Sequence, residues 1–345
     1  MFISKETTDN HLSQKDFFRT ARIFLRIFGI WPMKQGPLPI LFYINFISLF
    51  FTAIFGVAHG FANLNNLYLA LESFCGSAFE LISWTKLAVV FYYRNELGVV
   101  LRTLLEYYTQ DYRKEEIAIY RRVILYTMFS TVLLASGGLT TCTLYVFTPI
   151  FKNLFYFFTG QPLIREQPFQ AVYPFIDQYT DKTFLPCFLH LSHGGYCTAI
   201  GFNGVDSIFI TACFHIAAQF QLNAMKIRNI FNQVASNGIL TKNQNQQLRN
   251  KLIDAIAEQV KLFELIDLFI KVFTSIILLH FISVAVIIGI GSIDFLIAPG
   301  LDKILYAVYI LTVAIQSYAY AYAGNQISEH VEYSIKAKIW VNNNK

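Results

Sequence analysis

Long apolar stretches alternate with polar connectors along this chain. Six stand out: Ile40–Ala58, Leu67–Phe91, Val123–Phe147, Tyr196–Phe220, Val272–Ile293 and Ile304–Ala323. A helix crossing a hydrocarbon core of about 30 Å needs roughly 20 apolar residues, and each stretch meets or approaches that length. Inside a bilayer, backbone polar groups must pair within their own helix. The pattern therefore predicts an all-α, polytopic membrane bundle, a single transmembrane helical domain over 1–345. The first, third and sixth stretches are uncharged, and the fifth has an uncharged core with a helical pattern reaching back to Leu262. The second holds Glu72, Glu80 and Lys86, and the fourth holds Asp206 and His215.

Ahead of the first stretch, Phe17, Phe18, Ala21, Phe24, Leu25 and Phe28 recur at helical spacing, while Arg19, Arg22 and Arg26 share another face. This predicts a short interfacial helix with its arginines on lipid phosphates. Trp31-Pro32, Pro37 and Pro39 then break the chain. Two connectors are long. Residues 148–195 are rich in Phe, Tyr, Pro and Gln, and a loop this long and aromatic is expected to fold over the bundle. Residues 221–261 are Asn/Gln-rich in the middle, with helical spacing resuming at Leu252, Ile253, Ile256, Val260 and Phe263. They read either as helices projecting toward partner subunits or as a solvated connector.

Charge supplies the orientation. The connectors that would share the N-terminal side hold 21 Lys and Arg, and the opposite side holds 4. Basic residues stay cytoplasmic during insertion, so the N-terminus is expected inside, and six spans return the tail there. The composition agrees: 55% hydrophobic, 14% charged, with 34 Phe and 20 Tyr, more apolar surface than a soluble domain hides. With basic residues distributed by membrane side, the net charge of +5 does not point to nucleic acid. MFISKETTDN is acidic where a cleaved signal would be basic, so none is expected. Of the five cysteines, Cys75, Cys142, Cys197 and Cys213 lie in or at the edge of apolar runs and read as small packing residues. Only Cys187 and Cys197 are placed to meet near the outer surface.

No P-loop, GxGxxG, GxSxG, HExxH or CxxC pattern occurs, so no enzyme and no cofactor are expected. His190 and His193 form a lone HxxH beside Gly194-Gly195, read as a bland loop without further metal ligands. Glu80 and Asp206 lie about midway along spans, where an ionised group costs several kcal/mol. Both are expected to face the bundle interior, as a polar patch in a ligand cavity or as interhelical hydrogen-bond partners. Lys86 and Lys271 sit near cytoplasmic ends and are expected to snorkel. The outer halves of the spans offer Tyr68, Phe74, Phe79, Thr140, Thr143, Tyr145, Tyr196, Phe202, Tyr306 and Tyr309. Aromatic walls with sparse hydroxyls suit a small, largely apolar ligand, although for any one of these residues core packing is the stronger reading.

RIFLRIFGIWP, QAVYPFID, DSIFITACFHIAAQFQLN and YAYAGNQISEHVEYSIKAKIW resemble the insect odorant receptor family, over about 10–340. An inside N-terminus, with no DRY or NPxxY equivalent, argues against a G-protein-coupled receptor. The resemblance implies an odorant-specific subunit of a ligand-gated, non-selective cation channel. In that family the tuning subunit assembles with a shared co-receptor as a tetramer, in the dendritic cell membrane of olfactory sensory neurons, and volatile ligands bind in the outer half. Asp206, Phe209, His215 and Gln219-Phe220 match a fourth-span pattern, and Gly324-Asn325 with Ser328 and Glu329 match a turn after span six. Family members continue into a seventh, pore-lining helix, whereas VNNNK closes this chain after Trp340. A truncated gene model, a splice form or a decayed gene would each produce that ending, and such a form is expected not to conduct alone. Two rivals share the composition: a gustatory-type receptor, and a secondary transporter with Glu80 and Asp206 as coupling sites.

Overall fold

In the computed structural model every apolar stretch lies inside a helix. The structure describes residues 17–34, 36–110, 112–236, 241–298, 300 and 302–343. The expectation about the first ten residues, and parts of those about the Asn/Gln-rich connector and the closing residues, lie outside this range. The described helices are α1 (Arg19–Phe28), α2 (Ile40–Ala62), α3 (Leu67–Tyr92), α4 (Arg94–Tyr108), α5 (Lys114–Thr159), α6 (Phe184–Ser236), α7 (Lys242–Ile297) and α8 (Asp302–Asn343). Helices α2, α3, α5, α6 and α7 are each long and apolar enough to cross a membrane, and α8 carries the sixth apolar stretch.

Helix α6 is the axis of the bundle. In its most apolar window 94% of residues are buried, against 22% in that of α7, which turns its apolar side chains outward. Glycines let neighbours approach α6 closely, as in membrane helix packing generally. A Cβ at Gly201 would fall 2.6 Å from Leu87 Cδ1 of α3, and one at Gly204 would fall 2.7 Å from Leu25 Cδ2 of α1. Helix α1 docks by its apolar face, burying Ala21, Leu25 and Phe28, with Arg19 and Arg26 exposed. Phe17 and Phe18 lie against the His215 ring of α6, each at 5.6 Å. Gly29 closes α1 at φ 94°, where its N–H reaches the carbonyls of Leu25 and Arg26, a left-handed cap that glycine adopts without strain.

The last four helices contain 46, 53, 56 and 42 residues, well beyond the roughly 20 needed for a span. Much of the surplus of α6, α7 and α8 lies on the Lys/Arg-rich side and is bonded across helices. Lys226 Nζ meets Glu258 at 2.8 Å, Asn223 Nδ2 donates to Ala255 O at 2.9 Å, and Gln259 Nε2 donates to Ser334 Oγ at 3.0 Å. Thr241 and Gln244 start α7 with a reciprocal capping box. On the opposite side, residues 160–183 fold back over the bundle, where Val172 N–H donates to Phe55 O at 3.0 Å and Ala171 is buried.

Several sequence expectations change. Gly324-Asn325 is not a turn: α8 runs through it unbroken, because a lone glycine costs a helix only about 1 kcal/mol. Gly194-Gly195 lies inside α6 rather than in a loop. There, His190 Nδ1 pairs with Tyr173 OH at 2.7 Å and His193 Nδ1 with Ser48 Oγ at 3.0 Å. Cys187 and Cys197 share α6 and are both free thiols. Ten residues along one helix separate them by about 15 Å, too far for a disulfide. Lys86 does not snorkel. It is fully buried, held by a partner that the sequence pattern did not pair with it.

Candidate functional site

Four helices each turn one stripe of side chains toward a common space. On α3 the stripe is Tyr68, Glu72, Ser73, Gly76, Phe79 and Glu80, and on α8 it is Tyr306, Tyr309, Val313 and Gln316. Gly138, Cys142, Tyr145 and Pro149 come from α5, with Leu191, Gly195 and Thr198 from α6. Intervals of three and four residues place each set on one helix face. Residues 166–170 of the folded-back segment and Thr52 of α2 complete the wall. The cavity volume is about 370 Å³, and it lies on the side that the charge distribution assigns to the exterior.

Of the aromatic and hydroxyl residues singled out by sequence, Tyr68, Phe79, Tyr145, Tyr306 and Tyr309 line this cavity. The rotation of each helix sends the others elsewhere. Phe74 packs edge-on to Phe61 at 5.2 Å and against Gly60. Thr140 is exposed. Thr143 and Tyr196 pair hydroxyl to hydroxyl at 3.2 Å between α5 and α6. Phe202 lies beneath, stacked on Phe79 with ring centroids 4.5 Å apart. Sequence reasoning also passed over Gly76, where an added Cβ would meet nothing within 4 Å, and over Gln167, Phe169 and Gln170 of the covering segment. Length and aromatic content flagged that segment, but not which of its residues turn inward.

The two intramembrane acids separate. Glu80 lines the cavity, is 8% exposed, and accepts no hydrogen bond from any described residue. Asp206 lies below, locked into a buried knot. Lys86 Nζ of α3 donates to Asp206 Oδ1 at 2.7 Å and to His280 Nδ1 of α7 at 3.2 Å, and stands 3.6 Å from the centre of the Phe202 ring. These three contacts equal in number the three N–H groups of an ammonium. Lysine has only donors, so His280 accepts at Nδ1 and carries its proton on Nε2. Tyr320 OH of α8 donates to Asp206 Oδ1 at 2.5 Å, and its ring stacks on His280 at 4.0 Å. A buried ion pair offsets the desolvation of both ions only when its geometry is good and further hydrogen bonds support it. Here α3, α6, α7 and α8 each contribute one member. Phe79 and Phe202 connect this knot to the cavity floor.

Fold and site define a multi-pass helical membrane protein with a pocket of small-molecule size. The model of the 7tm Odorant receptor family matches residues 66–333. The chain is 26% identical to Odorant receptor 22c of Drosophila melanogaster over 323 residues, covering 91% of this chain and 80% of that protein. It is 24% identical to Odorant receptor 10a of the same species over 330 residues, covering 91% and 79%. Its fold resembles the insect olfactory receptor OR5 from Machilis hrabei solved in complex with eugenol. There the TM-score is 0.73 at 13% identity, covering 93% of this chain and 82% of that one. The chain belongs to the odorant receptor family.

Proposed function

We propose that this chain is an odorant-specific subunit of a ligand-gated, non-selective cation channel, assembled with a shared co-receptor, most simply as a tetramer. It works in the dendritic membrane of olfactory sensory neurons and catalyses no reaction. The observation that carries the reading is the aromatic-walled cavity of about 370 Å³ on the outer side. A pocket of this kind binds chiefly by burying an apolar ligand, while a few polar groups orient it. The eugenol complex of the Machilis receptor supports a small organic molecule as ligand.

A ligand opens the channel to the extent that it binds the open state more tightly. It would rest on Phe79, whose ring contacts Phe202, which in turn covers Lys86. Displacing that stack biases the packing of α3, α6, α7 and α8 together. A transporter reading is weaker, because Asp206 is held by Lys86 and Tyr320 rather than open to a coupling ion. The test is co-expression with the co-receptor in a non-olfactory cell while recording currents across a broad odorant panel. Odorant-evoked cation current that requires both chains is expected. Surface-exposed complexes silent to the whole panel, or uptake of substrate without current, would overturn the assignment.

A further inference from the structure

We propose that Glu80 determines the specificity of this cavity by selecting small, mostly apolar ligands that carry a hydroxyl group. The inference rests on the cavity being the odorant site proposed above, and it names the ligand class of that site.

Most polar groups on the wall are already engaged. Ser73 Oγ donates to Leu69 O at 2.6 Å, Ser77 Oγ to Ser73 O at 2.6 Å, and Thr198 Oγ1 to Gly194 O at 2.9 Å. Gln170 Nε2 donates to Glu72 at 3.4 Å. The nearby cations are committed as well, Lys152 to Glu166 at 2.8 Å and Lys86 to Asp206 at 2.7 Å. The Tyr306 and Tyr309 hydroxyls and Gln167 Oε1 also lack a partner among the described residues, but Glu80 is the one acid among these groups: buried, turned to the cavity, and without a hydrogen bond from any described residue. A buried polar group left unpaired is costly, and native proteins rarely leave one so without a reason. One turn above it, Gly76 adds no side chain, leaving open space for the body of a ligand directly over the carboxyl.

The chemistry of the carboxyl chooses the partner. Ionised, it only accepts; protonated, it donates through one oxygen and accepts through the other. A hydroxyl serves every case, since it donates and accepts. An ether serves only a protonated carboxyl, and then leaves the carbonyl oxygen unpaired. An ammonium would have to shed its hydration on entering an aromatic-walled site, and a buried ion pair at best breaks even against that cost. The hydroxyl is therefore the favoured group, and the Phe and Tyr side chains hold the remainder of the molecule.

The experiment uses the full chain with its co-receptor and matched probes on one skeleton: 2-phenylethanol, its methyl ether and 2-phenylethylamine, with further skeletons as alcohol, ether and amine. Wild type is expected to respond to alcohols at about five- to tenfold lower concentration than to the matched ethers, the scale of one net hydrogen bond. Glu80→Leu and Glu80→Met, checked by surface labelling, should bring that ratio to about one while the ether response persists. Glu80→Gln, which still donates and accepts, should keep most of it. An alcohol-to-ether ratio near one in wild type, an unchanged ratio in either apolar variant, or a preference for the amine would overturn the inference while leaving the receptor reading intact. Silence of the wild-type complex to every probe and to a broad odorant panel would instead remove the receptor reading, and this inference with it.

Discussion

The cavity and the ion knot beneath it share α3, α6 and α8, and Glu80 and Lys86 lie only about 9 Å apart along α3. They treat their charged side chains differently, although Asp206 Oδ2 and His280 Nε2 of the knot are themselves without a hydrogen-bond partner among the described residues. In the knot the Lys86 ammonium has three contacts, and the surrounding rings exclude solvent. In the cavity the serine and threonine hydroxyls are turned back onto their own helices, one carboxyl is left open, and a glycine replaces a side chain beside it. The contrast separates two uses of intramembrane charge. Where the partners are supplied by four helices, charge fixes how the helices sit together. Where the partner is withheld, a ligand is proposed to complete the site.

Breaking the knot should have the largest effect. Lys86→Met strands Asp206 without its cation, and removing one member of a buried pair costs roughly 3–5 kcal/mol. The expected result is a large fall in Tm in detergent and loss of surface labelling. The double variant Lys86→Met with Asp206→Leu should recover most of both, and failure of that rescue would count against the pair as the source of the loss.

Filling the two regions sharpens the comparison next. Gly201→Leu forces a side chain into Leu87, where a Cβ already falls 2.6 Å away, and overpacking costs about 1–3 kcal/mol. Gly76→Leu enters open space, so stability should change by no more than about 0.5 kcal/mol while the odorant response falls sharply. Equal losses of stability in the two variants would deny that the regions differ in packing.

Smaller effects are expected at the margins. Tyr196→Phe removes the partner of Thr143 in the wall between α5 and α6, and should cost about 1 kcal/mol as a single net hydrogen bond, read as a shift in Tm. The smallest concerns Glu116, at the Lys/Arg-rich start of α5. Burial pushes its carboxyl up, but hydrogen bonds from the Arg113 side chain and backbone outweigh this and hold it below the ordinary glutamate value of 4.5. Its stabilisation is therefore present above that ordinary value and disappears as pH falls through the lowered one. The Arg113 side chain is 59% exposed, so solvent screening limits the pair to about 0.5 kcal/mol. Thermal melts should show Glu116→Gln slightly less stable than wild type at pH 7, with the gap closing in acid.

Much of the frame is legible in the amino-acid order. Helix length against bilayer thickness and the asymmetry of Lys and Arg are properties of composition along the chain, so class and orientation follow from them. The site is legible in part. Tyr68, Phe79, Tyr145, Tyr306 and Tyr309 stand out as outer-half aromatics and do face one cavity. Phe74, Thr140, Thr143, Tyr196 and Phe202 stand out for the same reason and face elsewhere, because stretches this apolar, with few or no charges, carry little periodicity from which to read rotation about the helix axis. Gly76 cannot be found that way at all. A cavity is space left by neighbours, and no residue type marks it.

Alone, then, the sequence determined that the chain is a membrane-embedded helical bundle of a recognisable family, with two acids placed where bare charge is expensive. Only the tertiary structure decided their fates. Asp206 and Lys86 lie 120 positions apart, and whether they meet depends on the crossing and rotation of α3 and α6, which close contacts such as Gly201 on Leu87 permit. Glu80, on the same helix as Lys86 and a carboxylic acid like Asp206, is left unpaired because no cation among the described residues of a neighbouring helix is brought to its level.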